Sequence, residues 1–428
     1  MDILFPIETA SRELLYKVYL CNILSNKGFN CYLGTKKEVY YLIDKFENFI
    51  YFDKGYHQGK SDIIYKKIKK NNGLIFSLDE EGAIDFPDSS TLKNRYSKAL
   101  TENSDKIFLW GEFQKSLIDN KSISKKIKIT GHPRFHMLKK KFRLLYKEEV
   151  NRIKNKFGDF ILINTNLGFG NNIIGDKNVK DRYSNRFENI NNIINYDKIK
   201  MQSIVDLILK LPNSQKIVLR PHPEESLDYY NKNLGHLNNL TITYEGSVVP
   251  WLISCNMLIH QDCTTSIEYL MLGRKSVSYL PKEKKYNILT ELPLKISHRI
   301  DKIEDIISFI LERKNHTDYS CDKELKIIEK YFSFSLDSLK EISEESQKNA
   351  ILYSNNKLKI KDRCFLKLMS IRRKLRNMII KDEVKLSMKK LKGFNNKNIT
   401  YFNSKTNEIE DSKVNLIPIS SNLYLFKK

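Results

Sequence analysis

Short apolar runs recur along this chain, each followed by a stretch with helical spacing. That alternation restricts the fold more than any other feature. Ile3–Pro6, Phe29–Leu33, Phe49–Phe52, Leu74–Leu78, Lys106–Trp110 and Lys126–Thr130 read as strands. Glu8–Lys27, Glu38–Phe46, Ser61–Lys70, Ser90–Leu100 and Glu112–Leu117 read as helices between them, the first with Leu14, Leu15, Val18, Tyr19 and Ile23 as its apolar positions. Apolar strands alternating with helices imply a parallel sheet covered on both faces. After a charged amphipathic stretch, Phe135–Lys156, the pattern restarts with Phe160-Ile161-Leu162-Ile163-Asn164 and a polar, glycine-containing turn, 165–170. A long helical region runs to Leu211, strands Lys216–Leu219, Leu240–Tyr244, Met257–His260 and Ser276–Leu280 follow, and 301–345 are helical. The expected fold class is α/β, with two doubly wound Rossmann-like domains facing across a cleft. The boundaries read as 1–134, a helical linker 135–157, a second domain 158–345 with closing helices, and a tail 346–428. Such sheets bind ligands at the carboxyl ends of their strands, where loops and helix N-termini converge.

With 428 residues, 41% hydrophobic and 29% charged, the chain is long and apolar enough for two or three packed domains. No run approaches the roughly 18 apolar residues of a membrane span. No export signal is expected at the N-terminus, and six scattered cysteines without a CxxC pair argue against a disulfide framework and a zinc site. The expected setting is cytoplasmic. The net charge of +23 is unevenly placed: residues 346–428 hold 20 Lys/Arg against 6 Asp/Glu, leaving only +9 on the first 345 residues. Between Lys357 and Lys392 bulky apolar residues interleave with the basic ones, as in Ile371-Arg372-Arg373-Lys374-Leu375-Arg376. A helix there has an apolar stripe beside a basic face, the composition of a segment lying on anionic lipid at the inner face of a membrane. A solvated terminal helix is the alternative. No stacking motif supports nucleic-acid binding.

Four loops carry residues suited to chemistry. Leu78-Asp79-Glu80-Glu81-Gly82 follows a strand, and three adjacent carboxylates favour at least one raised pKa, the property of a general base. Gly82 would let the turn approach a ligand; otherwise this is a solvated acidic turn. In Arg220-Pro221-His222-Pro223-Glu224-Glu225 two prolines bracket one histidine, and Pro223-Glu224-Glu225 has the composition of a helix start. Its imidazole can donate to a phosphate, with Arg220 adding charge; alternatively the histidine caps a helix or pairs with Glu225. In the third loop Thr264, Thr265 and Ser266 open a helix and can hold an anion as well as cap, and Glu268 could reach a ribose hydroxyl. The fourth, Thr130-Gly131-His132-Pro133-Arg134-Phe135, is an interdomain hinge unless Arg134 faces the cleft. There is no GxxxxGK[ST] loop, no Gly-x-Ser-x-Gly elbow and no cluster with metal spacing, so no metal and no cofactor are expected.

These residues resemble known families. Glu80-Glu81-Gly82 and His222-Pro223 resemble the D/E-D/E-G and HP motifs of bacterial sialyltransferases and polysialyltransferases, and Thr264-Thr265-Ser266 is similar to their Ser/Thr-rich motif. Pro6-Ile7-Glu8-Thr9 with Arg12-Glu13-Leu14, Ser77 to Gly82, Trp110-Gly111-Glu112-Phe113, Gly131-x-Pro133-Arg134-Phe135 and Ile163-Asn164-Thr165-Asn166 resemble bacterial surface carbohydrate biosynthesis proteins. The resemblance covers residues 1 to about 330. It implies a GT-B glycosyltransferase that moves a nonulosonate or Kdo-type sugar from a CMP-activated donor to a surface polysaccharide or lipid-linked glycan. By position, Glu80 would be the general base. His222 would hydrogen-bond the departing phosphate, and Thr265 and Ser266 would hold it. Glu268 would contact cytidine or ribose, and Glu81, Gly82, Arg220, Pro223, Thr264, Arg134 and Asn166 would line the substrates. Of two His-Pro pairs, at 132 and 222, the place after a second-domain strand selects His222. The alternatives are a CDP-glycerol-type polyol-phosphate transferase, a nucleotide-sugar 2-epimerase, and a basic scaffold without activity.

Overall fold

The computed structural model describes residues 1–82, 90–118, 125–185, 187–280, 290–312, 320–350, 356–379 and 390–428. They form two compact units, one from Met1–Ala83, Ser90–Leu145 and Glu329–Lys428, the other from Tyr146–Ile328.

In the first unit six parallel strands run in the order β2-β1-β3-β4-β5-β6. They are β1 (Asp2–Ile7), β2 (Asn30–Thr35), β3 (Phe49–Asp53), β4 (Leu74–Leu78), β5 (Lys106–Leu109) and β6 (Ile127–Ile129). Every residue of β1 and β3 is buried, because each strand has neighbours on both sides and helices over the sheet. Each large apolar side chain so covered contributes roughly 1.5–3 kcal/mol. Strand order reverses between β1 and β3, and the loops leaving them diverge there.

The second unit holds β7 (Ile161–Asn164), β8 (Ile217–Arg220), β9 (Leu240–Ile242), β10 (Met257–His260), β11 (Val277–Tyr279) and β12 (His298–Ile300). All are parallel, in the order β12-β11-β10-β7-β8-β9. Counted within the unit, this is the Rossmann order 3-2-1-4-5-6, with its switch point between β7 and β10. Asn164 pairs in register with Arg220 on one side and His260 on the other. Three apolar strands therefore end together on polar residues. Helix Ile190–Lys210 covers one face with Met201, Ile204, Val205, Leu207 and Ile208. β12 escaped the sequence reading because Ser297-His298-Arg299-Ile300 lacks an apolar run.

The described residues beyond 345 belong to the first unit. β13 (Asn415–Ser420) and β14 (Leu423–Lys427) form a hairpin, and β14 pairs antiparallel with β2, Leu425 opposite Tyr32. Helix Asn396–Ile409 packs on helix Ala10–Asn26, where Asn22 Nδ2 donates to Asn403 (2.9 Å) and Asn407 (2.7 Å). Pro418 sits in outermost β13, the place where a missing N–H is tolerated. Residues 329–345, expected to close the second domain, also belong to the first unit: Lys106 pairs with Glu345 at 2.7 Å and Lys128 with Glu341 at 2.8 Å. Of the basic segment 357–392, residues 380–389 lie outside the described residues. No helix among the described residues is long and apolar enough to cross a membrane.

Candidate functional site

The second unit carries a cavity of about 170 Å³ beside the carboxyl ends of β7, β8 and β10. Asn166, Gly168 and Phe169 line it from the loop after β7, His222 and Glu224 from the loop after β8, and Asp262 and Thr290 complete that wall. Asp197 and Lys200 reach it from helix Ile190–Lys210.

Glu225 organises two of these loops. Its buried carboxylate accepts from Thr165 Oγ1 (2.7 Å), Leu167 N (3.0 Å), His222 N (2.9 Å) and Tyr230 Oη (2.7 Å). Burial pushes its carboxyl above the usual range, and these hydrogen bonds partly offset the shift. The His222–Glu225 pairing anticipated from sequence therefore runs through the histidine's backbone. Pro223 and Glu224 form a turn, and the helix begins only at Asp228. Within that turn Glu224 N donates to His222 Nδ1 (3.3 Å). A ring that accepts at Nδ1 carries its neutral-form proton on Nε2, so the turn selects the tautomer.

Asp197 is the second anchor. It accepts from the N–H groups of Phe169 and Gly170, each at 3.1 Å. A Cβ at Gly170 would lie 2.5 Å from that of Asp197 and 2.7 Å from Ile194 O, so only glycine allows the approach. Lys200 joins Asp197 (3.0 Å) to Asp262 (3.4 Å). Burial alone would lower the lysine pKa, but Asp262 and Asp197 outweigh it, so the ammonium stays charged.

The hydroxyl cluster divides. Thr264 is exposed, and Thr265 Oγ1 accepts from Asn164 Nδ2 (3.0 Å) across the switch point. Ser266 is buried and donates to Cys263 O (3.0 Å), a backbone carbonyl three residues earlier. Glu268 is half-buried one turn further on. Arg220 faces elsewhere: its guanidinium donates to Glu245 O (2.7 Å) and Gly246 O (3.3 Å) and lies over the Trp251 ring. It holds the loop after β9, and burial lowers its pKa to about 10. Pro223 is exposed.

The acidic loop belongs to a separate, densely charged cluster in the first unit. Glu80 is buried; its Oε1 accepts from Tyr16 Oη and pairs with Lys17 Nζ at 3.1 Å. Lys17 also pairs with Glu13 (2.7 Å), which Lys54 meets at 2.8 Å. Burial of Glu13 is outweighed by Lys17 and Lys54, and its carboxyl falls to about 2. Glu80 Oε2 faces His132 Nε2 at 3.8 Å; both atoms are buried without a hydrogen bond among the described residues. The raised carboxyl of the loop is Asp79, pushed to about 6 by burial, which the Arg95 guanidinium only partly offsets. Glu81 is the exposed carboxylate; the desolvation by its neighbours that would raise its pKa is outweighed by Arg95 at 2.7 Å, which holds it down. Gly82 makes room for protein: a Cβ there would lie 3.0 Å from the Trp110 ring and from Tyr96 Oη.

His132 repeats the local geometry of His222, with Arg134 N donating to its Nδ1 (3.1 Å). It is nevertheless packed inside, against Tyr16, Trp110 and Phe135, and burial drives its pKa well below the ordinary value. Arg134 stacks on Phe135, 4.4 Å from the ring centre. Sequence reasoning missed Tyr16, Lys17, Lys54 and Lys200. The available signal was charged pairs on buried helix faces, Glu13 with Lys17 and Asp197 with Lys200.

No known protein family matches the chain, and no curated protein does. Among solved structures it is similar to UDP-GlcNAc 2-epimerase of Methanocaldococcus jannaschii in complex with UDP-GlcNAc and UDP. The TM-score is 0.49 and the identity 12%, covering 82% of this chain and 100% of that one. It is also similar to S. aureus MnaA with UDP (TM-score 0.49, 12% identity, 84% and 100% covered). A third likeness is to the wall teichoic acid polymerase TagF (TM-score 0.46, 11% identity, 82% and 88% covered).

Proposed function

We propose that the chain is a glycosyltransferase whose second unit holds the nucleotide end of a CMP-activated nonulosonate or Kdo-type sugar, the acceptor being a surface polysaccharide or lipid-linked glycan. One observation carries this reading: His222, its tautomer selected by its own turn, lines a cavity beside the switch point of a Rossmann sheet. Nε2–H of His222 would donate to the phosphate as charge grows on the departing nucleotide. Of Thr265 and Ser266, the hydroxyls assigned to the same phosphate, Ser266 is buried and bound to Cys263 O, so Thr265 keeps that assignment, and Glu268 is assigned to cytidine or ribose. The cavity is smaller than the roughly 300–1,000 Å³ of a whole ligand site, so it holds one end of the donor. Asp262 and Glu224 line it as hydrogen-bond acceptors, which suit sugar hydroxyls, while a phosphate belongs on the His222 side. In the first unit Glu80 is assigned as the base for the acceptor hydroxyl. Tyr16 and Lys17 occupy its Oε1, which leaves Oε2 for the proton. The reading requires neither metal nor cofactor.

The test is thermal stabilisation of the full chain by CMP, CDP, UMP and UDP, repeated with His222→Ala. Stabilisation by CMP above the others, lost in His222→Ala, is expected. A larger shift with CDP would favour a polyol-phosphate transferase. A larger shift with UDP would favour an epimerase. No shift with any nucleotide would refute a nucleotide site.

A further inference from the structure

Helix Ile360–Ile379, within the segment whose composition suits anionic lipid, has a basic and apolar face that the nucleotide reading does not use. It is held to the first unit along one line of its surface. Asp362, Leu366 and Ser370 are buried, four residues apart. Tyr41 Oη donates to Asp362 (2.7 Å), Asn422 Nδ2 to Ser370 (3.3 Å), and Arg373 Nη1 to Thr35 Oγ1 (2.9 Å). At 100° per residue, the opposite line passes through Leu368, Ile371 and Leu375. These are 45%, 53% and 54% exposed, and Ile360 at the start of the helix is 82% exposed. Basic residues flank this ridge on both sides, Arg363, Lys367 and Lys374 along one and Lys361, Arg372 and Arg376 along the other; all six are exposed. The helix's single acid, Asp362, is on the buried line.

We propose that this helix docks the protein on an anionic membrane surface, lying in the plane of the lipid headgroups with the Leu368–Ile371–Leu375 ridge inserted. The charge pattern selects this occupant. A single row of aliphatic side chains between two rows of cations matches a layered surface with acyl chains below and anionic headgroups on either side. The long lysine and arginine stems reach outward to those headgroups while the ridge enters below them. A nucleic acid has no use for the aliphatic crest, and a groove on a protein partner would leave six cations to match. Because hydrogen bonds tie the inner line to Tyr41, Thr35 and the turn of the C-terminal hairpin, the outer line is displayed before lipid arrives. This inference is independent of the nucleotide reading.

The experiment is flotation of the full chain with phosphatidylcholine vesicles, with and without about 30% phosphatidylglycerol, at low and high salt. Binding at least about tenfold stronger to the anionic vesicles, weakened by salt, is expected. Leu368→Ser/Ile371→Ser/Leu375→Ser should reduce it about tenfold with the melting temperature preserved. Lys361→Glu/Arg372→Glu/Arg376→Glu should abolish it. Ile371→Trp should show a blue-shifted emission with anionic vesicles only. Equal binding to neutral vesicles, or unchanged binding by both triple variants, would overturn the proposal. So would a dimer or an RNA complex that survives anionic vesicles and is dissolved by the same substitutions.

Discussion

Removing the carboxylate of Glu225 should loosen both loops that line the cavity, and the structure sets the magnitude. Glu225→Ala leaves five donors without this acceptor: the Thr165 and Tyr230 hydroxyls, the N–H groups of Leu167 and His222, and, at a longer 3.5 Å, Asn171 Nδ2. A buried hydrogen bond to a charged group contributes about 1.5–3 kcal/mol, but hydroxyls can turn to other partners and the exposed turn can reach water. A net loss of about 4 kcal/mol follows. Glu225→Gln keeps an oxygen for Thr165, Leu167 and His222, all of which use Oε1, but it removes the charge and puts an amide NH2 where Oε2 accepts from Tyr230, whose hydroxyl can turn to accept instead, so it should cost about 1–2 kcal/mol. The chain offers a clean assay because its two tryptophans divide between the units, Trp110 in the first and Trp251 in the second. In a Trp110→Phe background, urea unfolding followed by Trp251 emission reports the second unit alone. Equal losses for Ala and Gln, or a loss below about 1 kcal/mol for Ala, would refute the organising role of Glu225.

The acidic loop makes its own predictions. Asp79 titrates near 6 in the fold against 3.8 ordinarily, so the folded state holds its proton more tightly. Stability from this group is full below about 3.8 and is lost as pH rises through about 6, a fall of about 3 kcal/mol. Asp79→Asn should flatten that part of the profile when Trp110 emission is followed in a Trp251→Phe background; an unchanged slope would contradict it. Glu80→Gln should abolish sugar transfer while Glu81→Gln, at an exposed carboxylate, reduces it at most severalfold. The reverse ranking would move the base to Glu81. Lys200→Met strands Asp197 and Asp262 in the interior and should destabilise the second unit by about 3–5 kcal/mol in urea melts, with Asp262→Asn restoring part of the loss. No recovery in the double variant would argue against a shared ion cluster.

Most strands were legible because a parallel sheet buries both faces, and Ile161-Leu162-Ile163 can do little else. Leu74–Leu78 coincides to the residue, and Ser90–Leu100 is in fact two short helices, Ser90–Arg95 and Lys98–Asn103. The C-terminal hairpin was overlooked although Ser421-Asn422 separates two apolar runs. Pro418 weakens the local strand signal of β13, and the second strand of the hairpin, β14, pairs with β2, which lies near the opposite end of the sequence. In the loops, residue type was readable and direction was not. Both His-Pro pairs form the same ring-to-backbone turn, yet one ring lines a cavity and the other is packed among aromatics. Among three consecutive carboxylates, one is raised by burial, one meets Lys17 and one is exposed beside Arg95.

The amino-acid order alone determined the two α/β units, the polar strand ends and the amphipathic basic helix, because periodicity and turn chemistry are local properties of the chain. Tertiary structure alone decided which of those polar groups meet. Lys17 reaches Glu80 across 63 residues of sequence and Lys200 reaches Asp262 across 62, while Arg220 is diverted to two carbonyls near Trp251. Whether a charged side chain is neutralised, shifted or exposed depends on burial and on partners a few ångströms away, and those are set only once the sheets have closed their cores.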